Sequence, residues 1–147
     1  MITEFTRCRE VMNQRFAFAD GLMTVSSALE MMREKGITKV IINRRDNSDE
    51  FGMVKLSDIA KKVIGKDRAP ERVNLYEIMC KPVISVRPQM NIKYCARLFD
   101  QYGLTSAIVI EDEHVIGMVS YKDTMVSEVS GLQCNVPLTL VVRSAGQ

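Results

Sequence analysis

Gly52-Met53-Val54-Lys55-Leu56-Ser57-Asp58 returns 65 residues later as Gly117-Met118-Val119-Ser120-Tyr121-Lys122-Asp123. In both stretches a short apolar run leads into polar residues and an acid, the pattern of a strand feeding the first turn of a helix. Upstream the match continues at a shift of 67. Met12 falls on Met79, and Val25, Ala28, Leu29 and Met32 fall on Ile92, Cys95, Ala96 and Phe99. That stripe is spaced i, i+3, i+4, i+7, one face of an amphipathic helix. The two helices stop at Gly36 and Gly103, where a left-handed C-cap is cheap for a residue without Cβ. Apolar strands follow at Val40 to Ile42 and Ala107 to Ile110. The turn from Arg44 to Glu50 is two residues longer than its counterpart around Glu111 to His114, so the shift drops from 67 to 65.

Arg15 to Ala19 and Val83 to Val86 read as the opening strands of the two copies, and Leu56 to Ile64 and Tyr121 to Val129 as their second helices. Each copy is therefore strand, helix, strand, strand, helix, an α/β (α+β) unit of β-α-β-β-α form. A single unit leaves one apolar sheet face uncovered. The two are expected to pack through their sheets as a pseudo-twofold pair with helices outside. Lys66 to Asn74, with Pro70 and five charged residues among nine, reads as the linker. From Gly131 onward the repeat ends. Val136-Pro137-Leu138-Thr139-Leu140-Val141-Val142 is an apolar, β-prone run with no partner in either copy.

Composition narrows the classes of function. A chain of 147 residues with 46% apolar and 26% charged residues is an ordinary globular protein long enough to bury a core. A formal charge of +2 supplies no field for wrapping nucleic acid or holding a membrane surface. Cys8, Cys80, Cys95 and Cys134 are far apart, and the single histidine, His114, lies in an acidic turn. Neither arrangement makes a metal site. Unpaired thiols and the absence of a signal segment read as a reducing, cytoplasmic setting. No apolar run approaches the roughly 20 residues of a membrane helix. No nucleophile motif and no phosphate-binding Gly-rich loop is present, so no residue is assigned a catalytic role and the chain is read as a non-enzyme. The ten methionines read as core filler.

Three segments carry a resemblance to a known family: Met79-Cys80-Lys81-Pro82-Val83, Glu34 to Thr38 (Glu-Lys-Gly-Ile-Thr), and Gly117 to Asp123. Together, in this order and twice over, they resemble the tandem cystathionine-β-synthase (CBS) domain pair, or Bateman module, across about residues 8 to 130. The resemblance places the first CBS unit at 8–65, a linker at 66–74, the second unit at 75–130 and an extension at 131–147. It implies a regulatory module that binds an adenine nucleotide such as AMP, ADP or ATP in clefts between the units and acts on a partner protein. S-adenosylmethionine and NAD-type adenosine ligands are alternatives, and no catalytic cofactor is implied. It also implies a homodimer, to which the Val136 to Val142 run would add surface. By position, one cleft would join Asp123, Ser120 and Lys122 to Thr38, Lys39 and the backbone near Ala17. The other would join Asp58, Ser57 and Lys55 to Thr105, Ser106 and the backbone near Ile84.

The residue types suit that ligand. A carboxylate accepts hydrogen bonds from both hydroxyls of a ribose, a serine at a helix start adds a hydroxyl beside free N–H groups, and lysines supply point charges for phosphate. A second meaning stays open, since Ser120-x-x-Asp123 is also an N-terminal capping pattern with the acid near the positive end of the helix dipole. In the first copy Lys55 stands where the family pattern has Ser or Thr. A vacant-cleft scaffold that only mediates dimerisation is the competing reading.

Overall fold

The computed structural model describes residues 6–125. In chain order its elements are α1 (Cys8–Val11), β1 (Ala17–Ala19), α2 (Val25–Lys35), β2 (Lys39–Ile42), β3 (Gly52–Lys55), α3 (Leu56–Lys62), β4 (Ser85–Val86), α4 (Ile92–Tyr102), β5 (Ser106–Glu111) and β6 (His114–Ser120). Residues 121–125 are helical, and short 3₁₀ turns occupy Ile64–Lys66, Pro70–Arg72 and Leu75–Glu77. Each copy thus has the expected strand, helix, strand, strand, helix order. The two sheets are three-stranded, ordered β1-β2-β3 and β4-β5-β6, with the first pair parallel and the second antiparallel in each.

The helices form where the apolar stripe and caps place them. Thr24 Oγ1 accepts from the Ser27 N–H to start α2, and Asn91 Oδ1 accepts from the Lys93 N–H to start α4. Gly36 and Gly103 close them at φ 65° and 62°, the left-handed region that a Cβ penalises. Val25, Ala28 and Met32 of α2 are buried with Val40, Ile42 and Val54 of the sheet. Cys95 and Phe99 of α4 are buried with Ala107, Val109 and Val119. Side chains alternate along a strand, so Ile41 and Met53, and Ile108 and Met118, point to the opposite sheet faces, and all four are buried.

The compact units do not follow the linear copies. One unit, here the Gly52 unit, comprises residues 15–83. The other, the Gly117 unit, combines 84–125 with 6–14. Each last strand is therefore met by the leading segment of the other copy. In the Gly117 unit the Asn13 N–H donates to the Met118 carbonyl at 2.8 Å, and the Asn13 carbonyl accepts from the Met118 N–H at 3.0 Å. In the Gly52 unit Met53 and Cys80 exchange the same two bonds at 3.0 and 2.9 Å. The leading segments begin as α1 and the Leu75–Glu77 turn, helical starts that the strand-based reading did not contain.

Boundaries differ where neighbours run out. The opening strands were expected over 15–19 and 83–86, but only 17–19 and 85–86 find partners on β2 and β5. The helix expected from Leu56 to Ile64 ends at Lys62 because Val63 turns into the core, fully buried. The segment 66–74 is packed onto the Gly52 unit: Val73 is buried and its carbonyl accepts from the Val25 N–H at 2.8 Å. The longer turn after β2 is tethered by Asp49, whose carboxylate receives Lys81 Nζ at 2.6 Å and Arg45 Nε at 3.1 Å. Residues 126–129 of the expected last helix, Cys134 and the run Val136 to Val142 lie outside the described residues.

The repeated glycines are the points of closest approach. A Cβ on Gly117 would lie 2.6 Å from Met12 Sδ and 3.0 Å from Met12 Cγ, and one on Gly52 would lie 2.7 Å from Met79 Sδ. Overpacking of this kind costs about 1–3 kcal/mol. Gly117→Ala is expected to lower stability by that amount in chemical denaturation, and by much less in a Met12→Ala background, where the clashing side chain is gone. Equal losses in both backgrounds would rule out this contact as the reason for the glycine.

Candidate functional site

The candidate residues of each copy converge at the end of its antiparallel strand pair. In the Gly117 unit Ser106 pairs with Ser120, both buried at 8% and 7% exposure. The Tyr121 N–H donates to the Thr105 carbonyl at 3.0 Å, which turns the chain into the following helix. In the Gly52 unit Lys39 pairs with Lys55, and the Leu56 N–H donates to the Thr38 carbonyl at 2.9 Å. The shifts of 67 and 65 relate these positions one for one. A serine pair in one unit therefore stands where a lysine pair stands in the other. All four side chains lie on the sheet face turned away from α2 or α4, since their neighbours Val40, Val54, Ala107 and Val119 belong to the helix-side cores.

Asp123 is held by three donors on one oxygen. Its Oδ2 accepts from the Ser120 N–H at 2.8 Å, Ser120 Oγ at 3.0 Å and Asn13 Nδ2 at 2.7 Å. The first two realise the capping pattern. The third brings in a residue 110 positions away that the sequence reading did not contain. It reaches Asp123 because Asn13 is the residue that pairs with Met118. Gln14 Nε2 donates to the Ile116 carbonyl at 2.8 Å and fixes the same segment.

Asp58 is held more simply. Its Oδ2 accepts from the Lys55 N–H at 2.9 Å. A lysine has no acceptor with which to return the favour, so only half of a capping box forms. The position related to Asn13 by the repeat is Cys80, which is exposed and has no side-chain amide to donate. Ser57, Lys122, Thr38 and Thr105 are exposed, while Ala17 and Ile84 are half-buried. Ala17 pairs with Val40, and the Ile84 carbonyl accepts from the Ile108 N–H at 3.1 Å. Within each unit the structure gathers one copy's own residues. The combinations expected from the resemblance, Asp123 with Thr38 and Lys39, and Asp58 with Thr105 and Ser106, join residues of different units.

A shallow groove of about 490 Å³ beside α2 is lined by Leu29, Arg33, Ile37, Leu56, Pro70 and Glu71 and contains none of the candidate residues. Among the described residues no cluster of three or more His, Cys, Asp or Glu side chains is placed to hold a metal ion, and no helix is long and apolar enough to cross a membrane.

The Asn13 to Asp123 bond is a charge-assisted contact in a partly buried setting, worth about 1–2 kcal/mol once solvent screening is allowed for. Asn13→Ala is expected to lower stability by that amount, with most of the loss absent when Asp123 is already alanine. Cys80→Ala, at the related position, is expected to show no such coupling to Asp58. Denaturant titration of the two double-mutant cycles separates these outcomes.

Comparison with known proteins agrees with this architecture. The CBS domain family matches the chain twice, at residues 8–65 and 75–126. An uncharacterised protein of Methanopyrus kandleri is 30% identical over 96 residues, 64% of this chain and 48% of its own. The chain spans about half the length of the first curated relatives it matches. The hexameric CBS-CP12 protein from bloom-forming cyanobacteria superposes with a TM-score of 0.82 at 29% identity, covering 97% of this chain and 79% of that one. A CBS domain protein from Pyrobaculum aerophilum complexed with AMP superposes with a TM-score of 0.69 at 14% identity, covering 80% and 89%.

Proposed function

The chain belongs to the CBS domain family, and from that premise we propose that it is a regulatory module that binds an adenine nucleotide between its two units and thereby acts on a partner protein. The observation that carries this reading is the duplicated half-site. Each unit ends its strand pair in a carboxylate, Asp123 or Asp58, whose orientation is set by backbone N–H donation from a residue at the start of a helix. A carboxylate so fixed suits the two hydroxyls of a ribose. The Lys39 and Lys55 pair places two positive charges side by side, and phosphate is the ligand group that such a pair attracts. The AMP bound by the Pyrobaculum protein supports adenosine as the ligand class.

The nucleotide acts through differential binding. A ligand shifts a conformational equilibrium only by the difference in its affinity for the two states, so a site built from both units responds to their relative position. In this proposal Asp123, Ser120 and Lys122 face the ligand with Thr38, Lys39 and the Ala17 backbone, and Asp58, Ser57 and Lys55 with Thr105, Ser106 and the Ile84 backbone. The scaffold reading rests on a specific observation of its own, the three donors already spent on Asp123 Oδ2. It makes Asp123 a helix cap only.

Calorimetry with AMP and ATP distinguishes the two. Hydrogen bonds to a charged group contribute about 1.5–3 kcal/mol, so Asp123→Ala is expected to weaken binding by roughly ten- to a hundredfold, and Asp58→Ala by less. Unchanged affinity in both variants, or no binding by the parent chain, leaves the scaffold. For assembly, the exposed Tyr94 and Tyr102 of α4 are apolar surface available to a second copy, and light scattering is expected to return the mass of a homodimer. A monomer at high micromolar concentration would count against it.

A further inference from the structure

Cys8 and Cys95 lie in one buried cluster of the Gly117 unit, each with no exposed surface, with the two thiols near enough to shift one another's pKa, Cys8 down and Cys95 up. The backbone sets up this encounter. The Cys8 N–H donates to the Met90 carbonyl at 2.8 Å, the Arg9 N–H to the Pro88 carbonyl at 3.0 Å, and the Ile92 N–H to the Thr6 carbonyl at 3.0 Å. These bonds seat α1 over the first turns of α4, where Cys95 points inward.

The Gly52 unit repeats the arrangement with different side chains. The Leu75 N–H donates to the Met23 carbonyl, the Tyr76 N–H to the Gly21 carbonyl and the Val25 N–H to the Val73 carbonyl, each bond displaced by 67 from its counterpart. At the same shift Cys8 corresponds to Leu75 and Cys95 to Ala28, and both of these are buried in the Gly52 core. Leucine on alanine therefore satisfies this packing. Thiols are not needed for it, and the Gly117 unit has them at both places.

We infer that Cys8 and Cys95 are a reversible redox pair, closing to a disulfide under peroxide and fastening the segment 6–14 to α4. Balance is met by hydrogen peroxide as oxidant. The Cys8 thiolate attacks one peroxide oxygen, the O–O bond breaks, and the departing hydroxide takes up a proton as water, leaving Cys8 as a sulfenic acid. The Cys95 sulfur then attacks the Cys8 sulfur. The S–O bond breaks, the oxygen leaves as a second water with the Cys95 proton, and the S–S bond forms. Two thiols and one peroxide become one disulfide and two waters. Cys8 is the first to react because it lies on the segment that opens, whereas Cys95 lies within α4. Because both sulfurs are buried, reaction passes through local opening of the segment 6–14. The disulfide would hold in place the segment whose Asn13 reaches Asp123.

The test uses the full chain with Cys80→Ser and Cys134→Ser, leaving only this pair, alongside the parent chain. After modest peroxide treatment, denaturation and alkylation, the expected product has lost two hydrogens and gained no oxygen. A peptide linking Cys8 to Cys95 is expected in both chains, dithiothreitol should restore two alkylatable thiols, and amide exchange over residues 8–14 should slow by on the order of tenfold or more in the oxidised chain. Cys8→Leu with Cys95→Ala, copied from the other unit, is expected to fold and to lose the peroxide effect on exchange. Two persistent thiols, sulfinic acid on either cysteine, linkage to Cys80 or Cys134 in the parent chain, or the same slowing in the Leu/Ala variant would each overturn the inference.

Discussion

The structure turns on a two-bond backbone bridge between the leading segment of one copy and the last strand of the other. β3 and β6 are outer strands of their sheets, and an outer strand presents N–H and C=O groups that must be paired or solvated. Met53 and Met118 satisfy theirs on Cys80 and Asn13. A Cβ at the preceding position would lie within 3 Å of the Met79 or Met12 thioether, so Gly52 and Gly117 suit the close crossing. The repeated methionines and glycines in the sequence are thus the traces of one contact made twice.

This bridge also explains what was legible in the sequence and what was not. Helices α2 and α4 were readable because period, cap and terminal glycine all act within a dozen residues of one another. The exchange of leading segments was not, since a shift map shows that Met12 resembles Met79 but not which strand either one meets. The segment 66–74 looked like a linker because its charges outnumber Val73, the one residue that anchors it in the core. The β5–β6 turn passes through Asp112 at φ 52° and Glu113 at φ 66°. Turns of this hand are usually signalled by a Gly after Asn or Asp, and Glu113 follows Asp112 instead.

At the candidate site the sequence supplied the carboxylates but missed their surroundings. The residue types of Ser120, Lys55, Asp58 and Asp123 were visible, and so was the departure from serine to lysine. Cross-strand register adds that the departure is doubled: Lys39 faces Lys55 where Ser106 faces Ser120. Like charges on directly opposed residues disfavour a strand pair. The two half-sites thus differ in local charge rather than in backbone. Asn13 was invisible for the same reason as the exchange, because its partner is defined by the strand it crosses.

In the proposed site the capping bonds of Asp123 would serve ribose binding rather than compete with it. A free aspartate that grips a ribose must give up rotamer freedom as it binds, and that cost is subtracted from affinity. Asp123 has already given it up to Ser120 and Asn13. Two of the three donors come from Ser120 at the helix start, the N–H and the hydroxyl. The third arrives only with the segment 6–14, and Asp58 has, among the described residues, its backbone donor alone. The difference in donors between the two carboxylates is therefore set at two places, Ser120 against Lys55 at the helix start and Asn13 against Cys80 on the exchanged segment.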